Sequence, residues 1–347
     1  MNAIGINGFG RIGKIVFLQL IDANANVVAI NVPDFDIGNL DTYLRCDSNH
    51  HYPLKWDIEI IDGETFSING RSIKLLNSRS AKSLNWRKHG VNYVIDATGV
   101  YLTQESAQEH NVDYLIMCAP AKDNTPSFMV GGNHEKYNGE RVVSNVSCTS
   151  NAIIPCLKAL NDEFGIEDAN FITVHSATAS QQCVDTVKFK NRTSRSLFNN
   201  IIPHTTGASK AIYAILPELK GKVHGTSVRV PTSNVSMIDL NVRLKKDCDL
   251  STVLKHAGAT ISSFALIFEA LHFMCRNNHH IYTLSPKQLI HKLLLMIINS
   301  KSVVIIILLN VLVFSTKKLA WKCKRINSSC LSGTIMNGPM PTRLCCF

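Results

Sequence analysis

A chain of 347 residues with 36 Lys and Arg against 26 Asp and Glu carries a formal charge of +10. That charge is uneven: residues 262–347 hold ten bases and one acid, Glu269, while residues 1–261 hold 26 bases and 25 acids. The near-neutral body gives no reason to expect a nucleic-acid face. The eleven cysteines are scattered and no secretory signal follows Met1-Asn2-Ala3. A disulfide framework is therefore excluded and a reducing cytoplasm is expected.

In chain order, Ala3–Ile6 reads as a buried strand and Lys14 to about Ala23 as a helix, joined by Gly8-Phe9-Gly10-Arg11-Ile12-Gly13. Strand, glycines and helix together form a dinucleotide fingerprint. The first glycine makes the tight turn and the second admits the pyrophosphate. The third lets helix pack on strand, and the helix N-terminus meets the phosphates. Gly8, Gly10, Arg11, Ile12 and Gly13 are thus cofactor-binding candidates. Val27–Asn31 is the second strand, and an acid for the adenosine ribose is expected at its end.

An excursion with Trp56–Ile60 and Arg71–Leu75 follows, then strands at Tyr93–Asp96 and Tyr114–Cys118. The last two run into Ala97-Thr98-Gly99 and Ala119-Pro120. Loops at the carboxyl ends of parallel strands line the cofactor crevice, so Thr98, Gly99 and Ala119 join the candidates.

The strand Arg141–Ser144 leads to Asn145-Val146-Ser147-Cys148-Thr149-Ser150-Asn151 and a helical pattern from Asn151 to Phe164. A thiol at a helix N-terminus faces backbone N–H groups and the positive end of the dipole, which favour its thiolate. Cys148 is the candidate nucleophile. A further strand, Phe171–Val174, ends at His175, which reads either as the base for that thiol or as a structural histidine at a strand end. Alternation continues at Val235–Leu244. His50-His51, His279-His280 and Cys345-Cys346 lack a second pair at zinc spacing, so no metal is expected.

Four blocks now carry a family resemblance: Gly5 to Gly13, Ser144 to Asn151 with the 27-residue interval from Cys148 to His175, Ile202 to Ala208, and Val228-Arg229-Val230-Pro231. Over about residues 1–260 the chain resembles phosphorylating glyceraldehyde-3-phosphate dehydrogenase. The resemblance implies an α/β fold: a Rossmann-type NAD-binding domain over 1–148, then an α+β catalytic domain with a mixed or antiparallel sheet over 149–261. It also implies NAD-dependent oxidation and phosphorylation of glyceraldehyde 3-phosphate through a cysteine thioester, with inorganic phosphate as co-substrate. By similarity, Thr178 and Arg229 serve the substrate phosphate. Ser147, Thr206 and Gly207 serve the attacking phosphate, and Thr149 adjoins the nucleophile among the phosphate-side residues. The polar stretch Thr186–Asn200 resembles the family's loop at the subunit interface and implies a homotetramer. An erythrose-4-phosphate dehydrogenase would share the nucleophile, base and glycines. A non-catalytic NAD-binding or membrane-tethered protein is the reading outside enzymes.

The matched region departs from the family at three points. Val32 stands where an aspartate is usual, leaving Asp34 as the nearby acid and NADP open beside NAD. Ala177 replaces a tyrosine, and Ala152 replaces a second cysteine.

The resemblance stops near Ser262. Beyond it, Leu289–Phe314 holds the apolar runs Leu293–Ile298 and Ser302–Phe314, split by Asn299-Ser300-Lys301. A membrane span needs about 20 mostly apolar residues, so neither run suffices, and a membrane is expected only if this tail is real and tilted. Among the synonymous codon choices for Gly333 to Pro341, one is GGT ACG ATA ATG AAT GGG CCT ATG CCA. Preceded by T, they regroup as TGG TAC GAT AAT GAA TGG GCC TAT GCC, or Trp-Tyr-Asp-Asn-Glu-Trp-Ala-Tyr-Ala, like the family's cofactor-contact motif near its C-terminus. Residues 262–347 are therefore read as a translation through an intron or past a frameshift. An uncovered sheet edge, poor solubility and weak activity are expected of a chain carrying them.

Overall fold

The computed structural model describes residues 2–49, 56–187, 192–246 and 252, together with the backbone of 305–312. These fall into two compact units, one built on Met1–Asn151, the other on Ala152–Tyr213 and the strands that follow.

The first unit is a sheet of eight strands: β1 (Ile4–Asn7), β2 (Val27–Asn31), β3 (Ile58–Asp62), β4 (Thr65–Ile68), β5 (Arg71–Leu76), β6 (Tyr93–Asp96), β7 (Tyr114–Met117) and β8 (Val142–Ser144). Their order is β3-β4-β5-β2-β1-β6-β7-β8. From β5 to β8 every pairing is parallel. β1 and β6 are buried at every position, as strands covered on both faces must be. Strand order reverses about β1, which places a crevice at the carboxyl ends of β1, β2 and β6.

Helix α1 (Arg11–Asp22) turns Ile15, Val16, Phe17, Leu18 and Leu20 into the core, where Phe17 meets Phe9 and Phe66 edge-on. α1 starts three residues ahead of the expected Lys14. Short helices α2 (Leu40–Arg45) and α3 (Gln104–Gln108) lie in the connections, and a Thr103/Ser106 capping box starts α3.

The second unit is a five-stranded sheet of β9 (Ile166–His175), β10 (Ile202–His204), β11 (Val223–Arg229), β12 (Ser236–Leu244) and β13 (Ile305–Leu312), in the order β10-β11-β9-β12-β13. β9 runs parallel to β11 and antiparallel to β12, and β10 is antiparallel to β11. This is a mixed sheet, as expected. The longer helices of this half of the chain are α4 (Cys148–Phe164), whose first turn belongs to the first unit, and α5 (Ala208–Ile215).

Among the described residues β13, not β12, is the outer strand on this side of the sheet. The apolar run around 305–312 pairs with β12 in parallel register, from Ser236 opposite Ile305 to Arg243 opposite Leu312. A β-rich apolar run meets the row of backbone donors and acceptors that an edge strand presents. Among the described residues no helix is long and apolar enough to cross a membrane. The run Leu293–Ile298 and the stretch Gly333–Pro341 lie outside the described residues.

Candidate active site

The fingerprint glycines each occupy a distinct steric position. Gly8 has φ +90°, and a Cβ there would sit 2.9 Å from the Thr98 side chain. Gly10 precedes α1, and a Cβ added there meets nothing within 4 Å. Gly13 lies in the first turn of α1, where a Cβ would come within 1.9 Å of the Gly8 carbonyl oxygen. The first helical bond is Lys14 N–H to Gly10 O at 2.9 Å, so the N–H groups of Arg11, Ile12 and Gly13 lie outside the helical ladder. Open space at Gly10 beside that positive helix end fits a dinucleotide pyrophosphate. Replacing Gly13 with Ala drives a methyl group into fixed backbone, and a loss of about 3 kcal/mol is expected in denaturant titration. A change below about 0.5 kcal/mol would contradict this packing.

Polar residues ending β1, β2 and β6 form a buried chain across the crevice floor. Asn31 Nδ2 donates to Asn7 Oδ1 at 2.7 Å, and Asn7 Nδ2 donates to Asp96 Oδ2 at 2.6 Å. Thr98 donates to Asp96 Oδ1 through its hydroxyl at 2.8 Å and its N–H at 3.2 Å. This fixes the Thr98-Gly99 loop, with Gly99 at φ +70°. Ala119 O accepts from Ser144 Oγ at 2.8 Å, joining the loop after β7 to the end of β8. Sequence reading had missed Asn7, Asn31 and Asp96 as a set. Their one signal is a polar residue closing each apolar run.

Burial outweighs these hydrogen bonds and raises the Asp96 pKa to about 6. Nearby His110 is held neutral, its pKa lowered to about 4 by burial. Trp86 Nε1–H donates to His110 Nδ1 at 3.0 Å, which puts the imidazole proton on Nε2, 3.6 Å from Asp96 Oδ2. A raised carboxyl binds its proton more tightly folded than unfolded, so its ionisation costs stability as pH rises from about 4 to about 6. At 1.36 kcal/mol per unit this approaches about 3 kcal/mol. Asp96→Asn removes the ionisation. The variant's stability relative to the parent should rise across that window and level off above it in denaturant titrations; a pH-independent difference would refute the assignment.

Cys148 is the first residue of α4. The chain enters through a sharp turn in which buried Val146 adopts φ +36°, an uncommon conformation for a β-branched residue. Ser147 precedes the helix and caps it, with its Oγ accepting from Ser150 N–H at 3.1 Å. The same oxygen lies 2.6 Å from Ser150 Oγ and 3.1 Å from the buried Thr149 Oγ1. Asn151 Nδ2 donates to Asn145 O at 3.2 Å and Ser147 O at 2.9 Å, tying the turn to the helix. α4 thus starts three residues before the expected Asn151, because its first turn is set by capping rather than apolar spacing.

In the second unit, β9 ends at His175 and β11 at Arg229, and these residues are register partners. Arg229 Nη1 lies 2.5 Å from His175 Nδ1 and donates to Ser176 O at 3.0 Å. His175 Nδ1 is also 2.8 Å from Ser176 O. These partners make opposite demands, since guanidinium only donates and a carbonyl only accepts, so Nδ1 serves one at a time. Burial first, then the Arg229 charge, lowers the His175 pKa to about 4, leaving a neutral imidazole at pH 7.

Thr178 sits just beyond β9, its hydroxyl donating to Gln181 Oε1 at 2.9 Å and lying 3.0 Å from Ser180 Oγ. Thr206 and Gly207 lead into α5: Thr206 Oγ1 accepts from Ala208 N–H at 3.1 Å, and Gly207 O accepts from Ala211 N–H at 3.2 Å. The structure therefore brings His175 and Arg229 together, and places Thr206-Gly207 at a helix N-terminus. Cys148, Ser147 and Thr149 are grouped in the first unit. Asp34, the acid expected to serve the ribose, is ion-paired with Arg79.

Comparison with known proteins matches residues 2–104 to the glyceraldehyde 3-phosphate dehydrogenase NAD binding domain. Residues 147–271 match the C-terminal domain of the same family, a little past the boundary expected near Ser262. Glyceraldehyde-3-phosphate dehydrogenase 1 of Kluyveromyces marxianus is 44% identical over 252 residues, which cover 71% of this chain and 75% of the relative. Glyceraldehyde-3-phosphate dehydrogenase A of Escherichia coli K12 is 44% identical over 248 residues, covering 70% and 74%. The Salmonella typhimurium enzyme is 43% identical over the same length. With the fingerprint glycines, the capped Cys148 helix and the His175–Arg229 pair in place, the chain belongs to the glyceraldehyde-3-phosphate dehydrogenase family.

Proposed function

We propose that this chain oxidises glyceraldehyde 3-phosphate with NAD and inorganic phosphate to 1,3-bisphosphoglycerate. The observation that carries this reading is Cys148 at the first position of α4, presented by a sharp turn and a Ser147 cap. The Cys148 thiol adds across the aldehyde carbonyl, its sulfur to the carbon and its proton to the oxygen, to give a hemithioacetal. Its C–H bond breaks with loss of a hydride, leaving a thioester on Cys148; NAD supplies the hydride acceptor. Phosphate oxygen then attacks the thioester carbon, the C–S bond breaks, and the acyl phosphate leaves the thiolate behind.

His175 takes the hemithioacetal hydroxyl proton as hydride departs. A base with a pKa near 4 is weak, but Arg229 supplies part of that depression. An anionic substrate phosphate at Arg229 screens its charge and draws the guanidinium from Nδ1. The imidazole becomes more basic, and Nδ1–H is free to donate to Ser176 O, which exposes the Nε2 lone pair. Thr178 supplies a hydroxyl donor to the same phosphate. Ser147, Thr149, Thr206 and Gly207 supply hydroxyls and helix N-terminal N–H groups to the attacking phosphate.

The domain boundaries that accompany this reading are 1–148 and 149–261, with 262–347 translated out of register. Restoring the register through Gly333–Pro341 should raise turnover in a direct comparison. A cytoplasmic homotetramer is the expected assembly. Assaying the chain on glyceraldehyde 3-phosphate and erythrose 4-phosphate tests the substrate. The reading expects a higher kcat/KM for the triose, and a preference for the tetrose would overturn it.

A further inference from the structure

The carboxyl end of β2 is where a dinucleotide-binding sheet meets the adenosine ribose, whose hydroxyls ordinarily find an acid there. Here Asn31 is followed by Val32, an uncharged side chain packed on the core, whose N–H donates to Leu76 O at 3.0 Å. The next acid, Asp34, has φ +60°, and its N–H donates to Asn77 Oδ1 at 3.1 Å. Its carboxylate is paired with the guanidinium of Arg79, and both side chains are exposed.

Arg79 is held in place through its backbone. Ser78 N–H donates to Asn31 Oδ1 and Asn31 Nδ2 donates to Ser78 O, both at 2.9 Å. On the other side Arg79 O accepts from Tyr101 OH at 3.4 Å. The ends of β2 and β5 are thereby joined, and the chain presents a cation where the ribose is read. An exposed ion pair is weak, so a better anion displaces Asp34 at little cost. A phosphate monoester is such an anion, matching the planar guanidinium with two oxygens.

We propose that Arg79 is a 2′-phosphate-binding residue and that the chain takes NADP as well as NAD. With NAD, Asp34 accepts from the ribose hydroxyl. With NADP, Arg79 leaves Asp34 for the 2′-phosphate, and Val32 contributes no opposing charge. The inference rests on the NAD-binding reading of the first unit and extends it to a second cofactor.

The test is calorimetric titration of the full chain, free of cofactor, with 5′-AMP, 2′,5′-ADP, NAD and NADP. The expected result is that 2′,5′-ADP binds at least as tightly as 5′-AMP. Arg79→Ala should weaken 2′,5′-ADP and NADP roughly tenfold more than their unphosphorylated counterparts, and Val32→Asp should shift preference back to NAD by a similar factor. If the phosphorylated ligands bind more than about tenfold weaker than their counterparts, or if Arg79→Ala weakens both classes alike, the proposal fails. Failure of 5′-AMP and NAD to bind at all would instead overturn the dinucleotide reading on which it depends.

Discussion

Replacing Cys148 with Ser should lower kcat by about a thousandfold or more, because an alcohol is a far weaker nucleophile and a poorer leaving group than a thiol. The substitution is nearly isosteric at a partly exposed position, and the capping bonds run through Ser147 and Asn151 rather than the thiol. Stability and NAD affinity should therefore stay close to the parent. A stopped assay for enzyme-bound acyl group gives the sharper readout, since the parent accumulates a thioester without phosphate and the variant none. A Cys148→Ser enzyme that retained a tenth of the parent's turnover would remove this residue from the chemistry.

The second large effect is at His175. His175→Asn preserves a side chain able to meet Ser176 O and Arg229 but removes the proton acceptor, and kcat should fall roughly a hundred- to ten-thousandfold. A purely structural histidine would lose stability instead, with little change in the rate of the folded fraction. Stability against pH tests the protonation state of His175 separately. The folded His175 pKa lies near 4, below its usual 6.5, so the unfolded chain binds the proton first as pH falls. Its stabilising contribution is full above about pH 6.5 and is lost progressively toward pH 4, amounting to about 3 kcal/mol. The asparagine variant lacks that dependence. Its stability relative to the parent should rise as pH is lowered through this window; a constant difference would show that His175 is not held neutral by burial and Arg229.

Local chemistry was legible along the chain. Gly8, with its positive φ, and Gly13, packed against the Gly8 carbonyl, have steric roles that their spacing encodes, and β2 and β6 have the limits that their apolar runs suggest. Helix starts were less legible. Gly13 and the polar Cys148-Thr149-Ser150 turn carry no apolar periodicity, yet both lie inside helices whose first turns are set by packing and capping. Strand β4 (Thr65–Ile68) is not among the expected strands.

Pairings between distant residues were least legible. Arg79 lies 45 residues from Asp34, and Arg229 lies 54 residues from His175. Nothing local in either segment announces the partner; the pairing follows from which strands become neighbours. The same holds for 305–312, where an apolar run weighed as a membrane segment pairs instead with β12.

The most direct test of the account is NADH formation by the full chain with glyceraldehyde 3-phosphate and NAD, first without phosphate and then with it. The account predicts a burst of no more than one NADH per chain that halts at the Cys148 thioester, followed by continued turnover once inorganic phosphate is added. NADH formation at the same rate with and without phosphate, or none in either case, would contradict it.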